Sequence, residues 1–163
     1  MIEAVIFDLD GTLVDLPIDY ERLFEEFKRI MRTNDVRPLP DAVSKVDEGT
    51  RELVFKAWEK AELAILNRII AKETGLKIYR EHAGKRKALV TLQGKTVVET
   101  ILENFGLKFD AVVTREDALF RVDQLLKAIE RLGVDKRNVL FVGNTNSDAS
   151  AASKVGCQFL KIR

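Results

Sequence analysis

Apolar residues fall along this chain in two rhythms. Five short runs are nearly continuous: Ala4 to Leu9, Lys87 to Leu92, Phe109 to Thr114, Asn138 to Gly143 and Cys157 to Ile162. Such runs predict strands, and the lack of polar alternation in the first of them predicts burial on both faces. Between most of them the period changes to 3.6. Val97, Val98, Ile101, Leu102 and Phe105 form one stripe over Thr96 to Phe105. Leu125, Leu126, Ile129 and Leu132 form another over Val122 to Leu132. Both stripes predict amphipathic helices, and Gly106 and Gly133 follow where a left-handed C-cap would sit. Ser147 to Val155 predicts a short helix ended by Gly156. Alternating strands and helices predict an α/β fold, a parallel sheet covered on both faces.

The stretch from about Leu16 to Gly84 breaks this alternation, being helical with no convincing strand. Tyr20, Leu23, Phe24, Phe27, Ile30 and Met31 are spaced as a helix stripe, with Asp19 as its N-cap. Asn34 to Pro40 is rich in turn residues. A second helical run is expected from about Asp41 to Lys72, with a break near Gly49. Its stripe is Leu53, Val54, Ala57, Ala61, Ala64, Ile65 and Ile69, with Trp58 beside it bridging to the core. Two such helices are expected to pack as a hairpin.

Composition narrows the function classes. With 163 residues, 46% of them hydrophobic, the chain can bury a sizeable core. A net charge of +1 gives no global field toward nucleic acid or a membrane surface. The single cysteine, Cys157, rules out an intrachain disulfide and a cysteine-based zinc cage, and is expected to be a small buried residue. No segment reaches the length of a membrane span and no leader pattern is visible, so the expected address is cytoplasmic. The basic cluster Lys85-Arg86-Lys87 precedes its strand and is expected on a solvated edge away from the site. His82 is the only histidine, which argues against Ser-His or Cys-His chemistry.

Candidate chemistry concentrates at strand ends. The first run ends in Asp8-Leu9-Asp10-Gly11-Thr12. Neighbouring carboxylates repel, so they suit a cation or acid–base work, although a plain Asp-Gly turn would also close a strand. Thr91 falls near the end of the second run, and Gly143-Asn144-Thr145-Asn146-Ser147-Asp148 follows the fourth. The spacing of Asn144 and Asp148 around a helix start lets both face one site, where the helix N-terminus favours anions. In an open parallel sheet, ligands bind beyond the carboxyl ends of the strands.

The string Val5-Ile6-Phe7-Asp8-Leu9-Asp10-Gly11-Thr12-Leu13 resembles the first motif of the haloacid dehalogenase superfamily, Asp-x-Asp-Gly-Thr. The resemblance extends over nearly the whole chain outside the helical insertion, and is nearest to the phosphoglycolate-phosphatase-like branch. It implies a Rossmann-like parallel sheet flanked by helices, with residues 1–15 and 85–163 as the core and residues 16–84 as a small helical cap inserted after the first strand. It implies that Asp8 is the nucleophile that becomes an aspartyl-phosphate and Asp10 the general acid and base. It implies that Thr91 binds the phosphoryl group. It also implies Mg2+ held by Asp8, Asp10, Asn144 and Asp148, the backbone carbonyl serving for Asp10.

Two positions depart from the family's pattern. Asn144 stands where an aspartate is usual, and its amide oxygen brings no charge. The Lys-Pro pair of the third motif is missing from Arg115-Glu116-Asp117-Ala118-Leu119-Phe120-Arg121. Arg121 and Lys95 are the candidate replacement cations for the phosphate. The implied function is magnesium-dependent hydrolysis of a small phosphate monoester, with a small phosphorylated metabolite as partner and neither nucleic acid nor membrane. A phosphomutase uses the same motif, whereas dehalogenases generally lack the second aspartate. The alternative is a degenerate relative, weak or inactive, that binds a phosphorylated ligand or a protein partner.

Overall fold

A computed structural model describes all 163 residues. The chain enters the sheet through β1 (Ala4–Asp8), every residue of which is buried. A loop leads to the two-residue strand β2 (Val14–Asp15) and then to helices α1 (Tyr20–Met31), α2 (Leu39–Ser44) and α3 (Glu48–Leu63). A second two-residue strand, β3 (Ile70–Ala71), precedes α4 (Glu73–Glu81). The remainder alternates: β4 (Arg86–Val90), α5 (Lys95–Phe105), β5 (Ala111–Val113), α6 (Arg121–Leu132), β6 (Val139–Gly143), α7 (Asn146–Val155) and β7 (Gln158–Lys161). The five-stranded sheet runs β5-β4-β1-β6-β7, all parallel, and β2 pairs antiparallel with β3 outside it. All five expected strands are present.

Alternate β1 residues feed two cores. Val5 and Phe7 join Leu89, Val97, Val98 and Ile101 on one face. Ala4 and Ile6 join Ala88, Phe141, Leu125, Ala128 and Val155 on the other. Burial on both faces is why these strands read as apolar runs rather than as alternations. Strand order reverses between β1 and β6, and α6 is the crossover that carries the chain back from β5 to β6. Its N-terminus therefore opens at the carboxyl edge of the sheet, beside the crevice where such folds bind ligands.

The stretch from Leu16 to Gly84 is more divided than its sequence predicts. α1 begins at Tyr20 with Asp19 as its N-cap, as expected. The second run breaks at Lys45 to Asp47, just before Gly49, because the Asp47 carboxylate caps α3 by accepting from Thr50 N at 2.7 Å. It stops at Leu63, and Ile70 and Ala71 pair with β2 instead of continuing as helix. α4 lies on the sheet: Tyr79 packs edge-on against Phe7 at 5.9 Å and against Phe109 at 5.6 Å. It therefore joins the core layer rather than the insertion. On α3 the buried positions are Val54, Trp58 and Glu62, a stripe rotated away from the expected one, and Leu53 is exposed.

The basic cluster also differs from expectation. Lys87 is buried, and its ammonium donates to the carbonyls of His82, Ala83 and Lys85 at the end of α4. Arg86 donates to Leu132 O at the end of α6. These cations neutralise helix carboxyl termini. Cys157 is half-buried, and that burial raises its thiol pKa.

Candidate active site

Asp8, the last residue of β1, is buried at the reversal point, and the loop after it carries Asp10 and Gly11. Gly11 adopts φ +80°, and a Cβ there would lie 2.2 Å from the Asn144 side chain. Only glycine lets the first-strand loop and the β6–α7 loop approach this closely. Asp8, Asp10, Thr91, Arg121, Asn144 and Asp148 all line one cleft of about 300 Å3, walled further by Tyr20, Leu39, Trp58, Leu92, Gln93 and Thr145. Lys95 does not line it. That side chain is exposed at the start of α5, with Nζ 4.0 Å from the Glu99 carboxylate.

Arg121, the first residue of α6, is the centre of the arrangement. Its Nη2 donates to Asp8 Oδ1 at 3.1 Å and its Nε to Asp148 Oδ1 at 3.1 Å. Its Nη1 donates to Gln124 Oε1 at 2.7 Å. A cation at a helix N-terminus opposes the helix dipole, so the two carboxylates offset an unfavourable local placement. Lys95 opens α5 in the same way, so this placement alone does not distinguish the two candidate cations. Gln124, fully buried and one turn later, had no signal in the sequence. Its Nε2 donates to Thr91 O at 2.8 Å and Ala118 O at 2.9 Å, so the amide oxygen is aimed at Arg121.

Asp148 has two tasks. Its Oδ2 accepts from Asn144 N and Thr145 N at 3.3 Å each, while Thr145 Oγ1 accepts from Asp148 N at 3.0 Å. This reciprocal cap starts α7 and leaves Oδ1 to Arg121. Thr91 Oγ1 accepts from Gln93 N at 3.0 Å, so its hydroxyl hydrogen remains free for an anion.

Burial pushes the Asp8 pKa up to about 7; Arg121 pulls against this, and the charge of Asp148 adds to it. Asp10 contributes less than Asp148, so the closer electrostatic partner of Asp8 comes from the far end of the chain. Asp10 is also raised by burial, while the Leu16 N–H, donated to its Oδ1 at 3.0 Å, pulls it down.

No three acidic, histidine or cysteine side chains converge as a ready metal cage. Besides Asp10, the cleft offers two carboxylates, Asp8 and Asp148, and the Asn144 amide oxygen, to which Thr12 Oγ1 donates at 3.4 Å. A sparse set of hard oxygen donors suits magnesium, a hard cation that prefers oxygen ligands.

Behind the cleft, Arg115 and Glu62 form a bidentate ion pair at 2.7 and 3.0 Å, with both side chains almost wholly buried. Glu62 Oε2 also accepts from Gly94 N at 3.0 Å, and Arg115 lies over the Trp58 ring at 4.5 Å. Burial raises the Glu62 carboxyl pKa and the guanidinium opposes it. A hydrophobic pattern excludes Glu62 from the buried face, although it lies one turn after Trp58. Arg115→Ala is expected to lower unfolding free energy by about 3–5 kcal/mol in a denaturant titration, because it strands a buried carboxylate.

The family of haloacid dehalogenase-like hydrolases matches residues 5–162. Phosphoglycolate phosphatase of Neisseria gonorrhoeae is 27% identical over 187 aligned residues, covering 96% of this chain and 78% of that protein. Pyrophosphatase PpaX of Bacillus cereus is 28% identical over 176, covering 95% and 80%. The crystal structure of a HAD phosphatase from Thermococcus onnurineus superposes with a TM-score of 0.66 at 25% identity, covering 99% of this chain and 86% of that one. With a match spanning the sheet, the cleft and the intervening helices alike, this chain belongs to the haloacid dehalogenase-like hydrolases.

Proposed function

We propose that this protein is a magnesium-dependent phosphatase that hydrolyses a small phosphate monoester through an aspartyl-phosphate. The observation that carries the reading is the guanidinium of Arg121, 3.1 Å from both Asp8 and Asp148. It supplies, from α6, the positive charge whose usual lysine the sequence lacks, and so weighs against a degenerate, non-catalytic relative. Asp8, Asn144, Asp148 and the Asp10 carbonyl would hold Mg2+, which would offset charge on the phosphoryl oxygens.

In this reading an Asp8 oxygen attacks phosphorus while Asp10 gives its proton to the departing alkoxide. Asp10, now ionised, takes a proton from the water that attacks the aspartyl-phosphate and releases inorganic phosphate. The elevated Asp10 pKa suits a group that must first be an acid. Thr91 donates its hydroxyl to a phosphoryl oxygen. Helices α1 to α3 form the cap over this site, carrying Tyr20, Leu39 and Trp58 into the wall. No helix is long and apolar enough to cross a membrane.

Hydrolysis of p-nitrophenyl phosphate, assayed with Mg2+ and with chelator, tests the proposal, with the Asp8→Asn protein as contamination control. Turnover that survives chelation, or that survives in Asp8→Asn, overturns it. Arg121→Ala is expected to lower kcat/KM by roughly 10²–10³-fold, the loss typical of one removed electrostatic stabiliser. Arg121→Lys should recover only part, since an ammonium cannot hold both carboxylates and Gln124 in one planar fork. Equal activity in Arg121→Ala and wild type would remove Arg121 from the site.

A further inference from the structure

The wall of the cleft facing Asp8 is uncharged. Tyr20, Leu39, Trp58, Leu92 and Gln93 form it. The one guanidinium in the cleft, Arg121, is committed to Asp8, Asp148 and Gln124. Arg115 lies behind Trp58, neutralised by Glu62 and with its side chain only 1% exposed. Lys154 lines only the neighbouring cleft, in company with Asp41. A second anionic group on the substrate, lying against that wall, would therefore find no side-chain cation there to receive it. Burying a charge without a partner is among the largest penalties in a protein interior.

The same wall carries neutral hydrogen-bonding groups without partners. The Trp58 indole N–H and the Gln93 amide oxygen are both buried and both unpaired, in residues 2% and 4% exposed. Gln93 Nε2 donates to the Tyr20 hydroxyl at 3.3 Å, which leaves the phenolic hydrogen available. Native proteins seldom leave such groups unsatisfied. A donor and an acceptor in the lining of one cleft match a hydroxyl, which can fill both roles. Leu39, Leu92 and the aromatic rings match its carbon skeleton.

Resting on the phosphatase reading above, we infer that the leaving group is a small neutral alcohol bearing a further hydroxyl, and that Trp58 and Gln93 select it over anionic leaving groups. Phosphoglycolate and pyrophosphate, the compounds in the names of the relatives, would then be poor substrates. The deciding experiment compares 2-hydroxyethyl phosphate with 2-phosphoglycolate, which differ only in CH2OH against carboxylate, together with pyrophosphate. Wild type is expected to show at least a tenfold higher kcat/KM for the hydroxyl ester than for either anion. Gln93→Lys, which places a cation in the wall, is expected to shrink or invert that ratio by a further factor of ten. Turnover of p-nitrophenyl phosphate without preference for the hydroxyl ester, or with no hydrolysis of it, overturns this inference and leaves the phosphatase reading standing. Absence of turnover on p-nitrophenyl phosphate itself overturns both. An unchanged ratio in Gln93→Lys overturns the role of Gln93.

Discussion

Asp8→Asn is expected to abolish phosphate-ester hydrolysis while raising the melting temperature of the metal-free protein at neutral to alkaline pH. The amide cannot attack phosphorus, and it is nearly isosteric with the carboxylate, so the Arg121 contact at 3.1 Å has an acceptor to keep. The stability change follows from the raised pKa. Asp8 titrates near 7 in the fold against 3.8 in an unfolded chain, so the folded state holds the proton more tightly. Its favourable contribution is complete below pH 3.8 and is lost as pH rises through about 7. Each pKa unit is worth about 1.4 kcal/mol, so the shift caps the effect at about 4 kcal/mol. Melts in chelator should show mutant and wild type close together at pH 4 and the mutant ahead at pH 8. A constant gap across that range would mean that Asp8 titrates normally. Hydrolysis by the mutant would remove it as nucleophile.

Asp10→Asn is expected to cost on the order of 10²–10⁴ in rate, the usual worth of a positioned general acid and base. Asp10 Oδ1 accepts from Leu16 N, a bond that an amide oxygen can retain, so the loop from Gly11 to β2 should keep its shape. The backbone carbonyl is untouched. The magnesium concentration for half-maximal activity should therefore change little while the maximum falls. A large shift in that concentration, with the rate at saturating metal preserved, would instead make the Asp10 carboxylate a direct ligand and leave the proton transfer unassigned. The two substitutions separate attack from proton transfer because the carboxylates are oriented differently, one toward Arg121 and the other toward Leu16.

The sequence by itself determined the strands, most of the helices and the C-terminal glycine caps, because each depends on short-range chemistry. A buried parallel strand needs an apolar run wherever it is, and a helix packed on it needs a stripe at 3.6 residues. Asp8, Asp10, Thr91, Asn144 and Asp148 were legible for a related reason: each stands at the carboxyl end of an identifiable strand, in the loop after it, or, for Asp148, in the first turn of the helix that follows, and parallel strands bring those ends to one edge. What needed the tertiary structure was partnership across the chain. Two candidate cations lay near predicted helix starts, and only the crossover of α6 over the sheet places Arg121, not Lys95, beside Asp8. A hydrophobic pattern cannot show that Glu62 is buried, since a carboxylate is tolerated there only because Arg115, 53 residues away, satisfies it. The short β2–β3 pair was hidden likewise, because two residues carry too little periodicity and gain their hydrogen bonds from a segment distant in sequence. The Asp8 pKa belongs to the same class. Aspartates at positions 8 and 10 suggest mutual repulsion, but burial sets the shift, and Asp148 outweighs Asp10 in it because distance through the fold, not along the chain, governs the Coulomb energy.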